Sequence, residues 1–300
     1  MKKIRLTRPA NIITSMADIF LGFAASGTAV RIFSKEEWTF FSSEFSNLYF
    51  LLASSACLYG GGVVFNDLFD YETDIAERPE RPLPSGKANP DGAFFLGLIL
   101  SFGGIFLAFC VSVISGLIAA LILCLSLLYN KYLKDHLVFG PVNMAACRSA
   151  NLLLGLSVVP EFAEEGLLIL IIPFFYISAI THLSKGEVNG SEKKNIETSL
   201  LIYMLLLIFI FNLPVIDHFS FLNSFPFLLL FILFAFSGII EALKNPEQPL
   251  LIRKTVKNSI LGLILLDASL AAGFAGISFG IFIILLLPLS IGLSKIFAVS

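Results

Sequence analysis

Charge is scarce in this sequence. Of its 300 residues only 14% are Asp, Glu, Lys or Arg, while 57% are hydrophobic; soluble chains average roughly 25% charged residues. That shortage excludes a soluble domain of this length. Cysteine is also sparse, and Cys57, Cys110, Cys124 and Cys147 all lie in apolar runs without metal-ligand spacing, which reads as small core hydrophobes. Low-complexity tracts are missing. So is a clear inverted repeat or a pair of broken helices, which speaks against an ion-coupled transporter, although Asp18, Arg148 and Asp267 line up as a membrane-embedded ionic path. The net charge of −2 says little about partners, and no nucleic-acid partner is expected.

What the chain has in abundance is long apolar runs, at 11–30, 47–69, 92–113, 117–129, 141–159, 167–183, 199–215, 222–243, 259–277 and 279–298. A helical crossing needs roughly 20 apolar residues, and backbone groups in lipid must be satisfied within helices or closed barrels. The runs are continuous rather than alternating, so they read as helices. The expected fold is all-α, a polytopic membrane helical bundle forming a single domain over 1–300. The first run resembles a signal peptide in its basic flank, Lys2, Lys3, Arg5 and Arg8, but its length and the polar Asn11 and Asp18 favour an uncleaved span.

Orientation follows from the basic residues. On an alternating path the N-terminus, Arg78, Arg81, Lys87, Lys131, Lys134, Lys185 and every lysine and arginine from Lys193 to Lys295 share one side. The other side has Arg31 and Lys35, with the acid-rich 36–44 and 161–165 loops. The expectation is an integral protein of the inner (cytoplasmic) membrane with a cytoplasmic N-terminus. The long polar loops 66–91, 129–140 and 182–198 then share the cytoplasmic face, which is where a site in loops and helix ends belongs.

One of those loops opens with Asn66-Asp67-Leu68-Phe69-Asp70-Tyr71-Glu72-Thr73-Asp74. Asp67, Asp70 and Asp74 stand at i, i+3 and i+7, the spacing of one helical stripe. Like charges so placed repel, and a divalent cation such as Mg²⁺ between them is the usual remedy. Arg78 and Arg81 follow, among Pro79, Pro82 and Pro84, and arginines add bidentate bonds to an anion. The chemistry this cluster suits is binding and ionising a diphosphate leaving group at the mouth of an apolar cavity.

Asn66-Asp67-x-x-Asp70-x-x-x-Asp74, with Arg78 and Arg81-Pro82-Leu83-Pro84-Ser85-Gly86 after it, resembles the first aspartate-rich motif of the UbiA superfamily of intramembrane prenyltransferases. Arg8-Pro9 before the first run and Tyr129 and Lys134 after the fourth extend the likeness. It implies a bundle of about nine transmembrane helices, so the run at 279–298 is either an added tenth helix or a mispartition of 259–298. It also implies transfer of an isoprenyl group from a prenyl diphosphate to an aromatic or other small or lipidic acceptor, with Mg²⁺ as cofactor. Asn66, Asp67, Asp70 and Asp74 are then metal or diphosphate ligands, Lys134 a phosphate contact, and Tyr129 a neighbour of the reacting carbon. For Tyr129 and Lys134 interfacial anchoring is the plain alternative.

A second aspartate-rich motif, which the family carries after the sixth helix, is eroded here to Thr181-His182-Leu183-Ser184-Lys185-Gly186-Glu187-Val188-Asn189-Gly190. Glu187 is its acid at a plausible metal-binding position, with Asn189 and His182 as polar substitutes, while Lys185 or His182 is placed to contact phosphate; an ordinary polar loop is the other reading. The erosion motivates an alternative function: a non-catalytic relative that binds or helps export a prenylated or aromatic metabolite. Thr7 to Asn11, Gly140-Pro141 through Arg148, and Ser184 to Glu187 further resemble the divergent EboC-like branch.

Arg148 stands alone inside an apolar run, where a cation costs about 2.5–3.5 kcal/mol on insertion scales. Asp18 and Asp267 are acids at similar depth. Arg148 is either half of a structural buried pair or a recognition residue for an acceptor or the diphosphate.

Overall fold

The computed structural model describes residues 6–33, 42–159, 164–187, 190–216 and 218–296. Lys2, Lys3, Arg5, Lys35, Asn189 and most of the two acid-rich loops lie outside the described residues. Those described form helices: α1 Pro9–Ala25, α2 Thr28–Phe33, α3 Ser43–Phe69, α4 Tyr71–Glu77, α5 Pro90–Phe109, α6 Val113–Leu128, α7 Phe139–Leu156, α8 Ile171–Ser184, α9 Lys193–Phe211, α10 Phe221–Lys244, α11 Pro249–Ala275, α12 Ile277–Ile284 and α13 Leu286–Ile296. Among the described residues eight helical stretches are long and apolar enough to cross a membrane. The 17-residue α1 and the more polar α7 complete the ten apolar runs of the sequence.

Local chemistry sets the ends of these helices. Asn89 caps α5, its side chain accepting from the Asp91 amide ahead of Pro90 in the first turn, and Ser112 caps α6 through the Ser115 amide. Gly276, at φ 89°, ends α11; glycine takes that conformation without a Cβ clash. The run at 279–298 is therefore a separate added helix, interrupted at Leu285 between α12 and α13. It lies antiparallel along α1. Phe279 stacks near Phe23, Phe282 near Phe20, and the Ser290 hydroxyl donates to the Ala10 carbonyl.

Small residues let the helices meet closely, as association in lipid requires. On α5 the buried positions are Ala93, Gly97, Ser101, Gly104 and Ala108, and they face α3: a Cβ on Gly61 would come within 2.7 Å of the Ser101 hydroxyl, and one on Gly104 within 3.0 Å of the Ser54 carbonyl. The opposite face of α5 carries exposed Phe95, Ile99, Phe102 and Phe106, a lipid-facing stripe. Backbones of α1 and α7 touch at Gly22 and Gly155. That contact brings the polar residues of α7 against those of α1.

The cysteines are free thiols, but they are not uniformly core residues. Cys110 and Cys124 face outward, and Cys147 lines an internal cavity. Phe65 packs on Gly97 and Phe94, while Phe69 is exposed. Neither lines the cavity.

Candidate active site

Helices α1, α3, α6, α7, α8 and α11 enclose a cavity of about 440 Å³. Its walls are mainly apolar, with Leu58, Ile122, Met144, Ile177, Ile180 and Leu263 among them, and Arg8, Asn66, Tyr129, Asn130, Ser184 and Glu187 stand at one end.

Asp67, Asp70 and Asp74 do not line the cavity; Asp67 stands behind Arg8, which does. The expected single stripe is divided between two sets of cations. Asp67 Oδ1 accepts from Arg8 Nη2 at 2.7 Å and lies 3.7 Å from Arg81 Nη1; the same Arg81 nitrogen donates to Asp74 Oδ2 at 2.6 Å. Asp70, at the junction of α3 and α4, instead pairs with Lys134 beyond α6. Asp67, Asp74 and Arg81 are buried. The backbone explains the division: α3 ends at Phe69, and the Asp70 amide still donates to the Asn66 carbonyl while its own carbonyl accepts from the Asp74 amide.

Arg8 sits just before α1 with φ 47°. A non-glycine residue there costs roughly 1–2 kcal/mol, and the charge-assisted bond to Asp67 holds it. A π-helical turn over Tyr129–Leu133 closes α6, the kind of interruption that often accompanies a functional site. It puts Tyr129 and Asn130 on the cavity wall. Asn130 donates to the Gly62 carbonyl at 2.8 Å and meets Asn66 at 3.4 Å.

Across the cavity, Thr181 and Ser184 at the end of α8 and Glu187 in the turn after it line the wall. Burial pushes the Glu187 carboxyl above its ordinary range, opposed by the charges of Arg253 and Arg78. Arg78 is thus near enough to Glu187 for its charge to act there. Lys185 and His182 do not line the cavity; Lys185 Nζ donates to the His136 carbonyl at 2.8 Å.

Deeper in, Arg148 and Asn151 from α7 meet α1. Arg148 Nε lies 2.7 Å from Asp18 Oδ2, and its Nη2 donates to the Thr14 carbonyl at 2.5 Å. Asn151 donates to Asp18 and to the Ser15 carbonyl and accepts from Ser55. Asp267 on α11 is buried close to Asp18, and its Oδ2 has no hydrogen-bond partner. The pairing expected of Arg148 is present, and the same side chain also borders the cavity.

Sequence reasoning did not assign Asn130, Thr181, Ser184 or Ser55 to the site. They are uncharged polar residues near apolar runs, and nothing in their spacing marks them. Arg8 was marked only by its position before Pro9.

Hard oxygen donors in this arrangement suit Mg²⁺, which is commonly held by one or two carboxylates together with substrate phosphates. Asp67 and Asp74 share one guanidinium nitrogen, so both carboxylates converge on one place. Among the described residues no group of three or more His, Cys, Asp or Glu is gathered closely enough to form a cage. The donor set fits a metal that arrives with a phosphate ligand.

A family model for the UbiA prenyltransferase family matches residues 21–249. The chain is 27% identical over 256 residues to the digeranylgeranylglyceryl phosphate synthase of Saccharolobus solfataricus, covering 79% of this chain and 86% of that protein. It is 34% identical over 141 residues to the protein of the same name from Ignicoccus hospitalis, 47% of this chain and 46% of that relative, so the match spans about half its length. A solved structure of digeranylgeranylglyceryl phosphate synthase in membranes aligns at a TM-score of 0.64 and 18% identity, over 91% of this chain and 98% of that one. A UbiA homologue from Archaeoglobus fulgidus bound to DMAPP and Mg²⁺ aligns at 0.52 and 15% identity, over 98% and 99%. The structural likeness shows a shared fold.

Proposed function

The chain belongs to the UbiA prenyltransferase family, and on that premise we propose that it transfers an isoprenyl group from a prenyl diphosphate to a small or lipidic acceptor at the cytoplasmic face of the inner membrane. The observation that carries this reading is the convergence of Asp67 and Asp74 on Arg81, with Arg8 beside them, at the end of an apolar-walled cavity. A charged head and an apolar tail find their complements in adjoining places. The names of the relatives, digeranylgeranylglyceryl phosphate synthases, support an isoprenoid donor.

In this reading Arg8, Arg81 and Lys134 bind the diphosphate, with Arg78 and Lys185 further out on the same face. Asp67, Asp74 and Asp70 would hold Mg²⁺, with Glu187 contributing from the turn after α8, and the metal when bound supplies positive charge to the departing diphosphate. Charges fixed in advance favour the anion as it forms. The carbon–oxygen bond to diphosphate breaks; the acceptor then forms a bond to that carbon and releases a proton. Tyr129 stands on the wall where that carbon would lie, and the apolar walls keep water from capturing it.

A second reading has a specific observation behind it. Glu187 is the acid on the α8 wall, where its neighbours Thr181 and Ser184 are hydroxyls, and a protein that binds a prenylated metabolite without turnover needs no more. The test is release of inorganic diphosphate by the purified chain in lipid nanodiscs, with geranyl, farnesyl and geranylgeranyl diphosphate and Mg²⁺. Turnover that falls at least a hundredfold in Asp67→Asn is the expected result. Binding of these donors with no diphosphate released would sink the enzyme reading in favour of the carrier.

A further inference from the structure

An apolar cavity that receives a hydrocarbon tail has no use for a charged floor, because burying such groups against hydrocarbon is unfavourable. This cavity has one. Arg148, 8% exposed, borders the space. It is anchored at the level of Thr14, six residues inside Arg8 on α1, or about 9 Å at 1.5 Å per residue. That distance accommodates one ring or a short chain between the diphosphate end and the guanidinium.

The guanidinium has five N–H donors. Its contacts go to Asp18 Oδ2, the Thr14 carbonyl and, at 3.4 Å, the Thr14 hydroxyl, which leaves donors unused on a side chain that lines the cavity. The charge balance runs the other way from a simple anion site. The one guanidinium is already matched by the buried carboxylate of Asp18, 2.7 Å from its Nε. A further anion would bring a charge with no cation of its own into a medium of low dielectric. A neutral oxygen carries no such penalty.

We propose that the floor of the cavity is the acceptor subsite, and that Arg148 there receives a hydrogen bond acceptor on a neutral molecule of the phenol, quinol or alcohol class. Asp18 and Asn151 are positioning residues that fix the guanidinium. The proposal rests on the reading of the Asp67 end as the donor's diphosphate site.

The test measures binding to the full chain in nanodiscs by thermal stabilisation, with two separate arms. Geranyl diphosphate with Mg²⁺ probes the donor end. Methyl 4-hydroxybenzoate and hydroquinone probe the floor, against 4-hydroxybenzoate as the anionic counterpart at pH 7.5. The neutral probes are expected to bind the wild type at least tenfold more tightly than the carboxylate. Arg148→Met alone would strand Asp18 and risks misfolding, so Asp18→Asn is combined with it to remove a cation and an acid together. The double variant should lose at least tenfold in affinity for the neutral probes while geranyl diphosphate binding persists. Unchanged binding of the neutral probes to the double variant overturns the proposal, as does equal binding of 4-hydroxybenzoate or failure of both neutral probes to bind the wild type. A wild type that binds the neutral probes and no prenyl diphosphate overturns the donor-site reading instead.

Discussion

Arg81 holds two carboxylates at once, which makes it the most exposed point of failure among the residues of the mouth. Asp67 keeps Arg8 if Arg81 is removed, but Asp74 has Arg81 as its ion-pair partner. Both members of that pair are buried, and breaking a buried pair by deleting one side costs about 3–5 kcal/mol. Arg81→Leu is therefore expected to lower unfolding stability by roughly 3 kcal/mol. Adding Asp74→Asn should restore more than half of that loss, because no unpaired charge is then left behind. Chemical denaturation of the two variants in detergent checks this; equal stability of the single and double variants would count against a buried pair. The three aspartates and the two arginines were legible in the sequence, since charges at helical spacing beside an apolar run have few other uses. Their division between Arg81 and Lys134 was not legible, because it depends on the end of α3 at Phe69 and on a turn after α6 that spacing does not encode.

Among the elements, α1 and α7 set the depth and direction of the polar floor. Their approach depends on two residues without side chains. A Cβ on Gly155 would stand 2.8 Å from the Ile19 Cα and 2.9 Å from its carbonyl oxygen, and one on Gly22 would stand 2.4 Å from the Gly155 backbone. Backbone cannot swing aside as a flexible side chain does, so α1 must move off α7 as a unit. Gly155→Ala is expected to cost about 1–3 kcal/mol, the usual penalty of overpacking, and to weaken binding at Arg148 more than at Asp67. Gly103→Ala, where a Cβ meets nothing within 4 Å, is the control and should leave the melting temperature nearly unchanged. Equal melting temperatures for the two variants would refute the close α1–α7 contact. The number and order of the spans could be read from apolar runs alone. Their starts could not, for α9 begins at Lys193 and α11 at Pro249, well before the apolar runs at 199 and 259. Those first turns are polar on the outside, and a hydropathy run registers lipid contact rather than hydrogen bonding.

For the whole molecule, two independent lines agree on how the chain threads the membrane. The distribution of lysine and arginine requires an even number of crossings between the N-terminus and Lys295. The packing of α12 and α13 along α1 requires the same: Phe279 meets Phe23 at one end of α1 and Ser290 meets Ala10 at the other, so the last helix runs back towards the end where Arg8 sits. Arg8, Asp67, Lys134 and Glu187 then share one side with Lys87 and Lys244, and the loop holding Asn212 and His218 lies on the other. The prediction is made for a background with Cys57, Cys110, Cys124 and Cys147 replaced by alanine. In intact cells a membrane-impermeant maleimide should label Asn212→Cys but not Lys87→Cys or Lys244→Cys, and permeabilised cells should give labelling of all three. These positions are exposed, so access to the thiol reports the side of the membrane. Labelling of Lys87→Cys in intact cells would place the diphosphate end outside, where cytoplasmic prenyl donors could not reach it, and would overturn the orientation and the proposed reaction together.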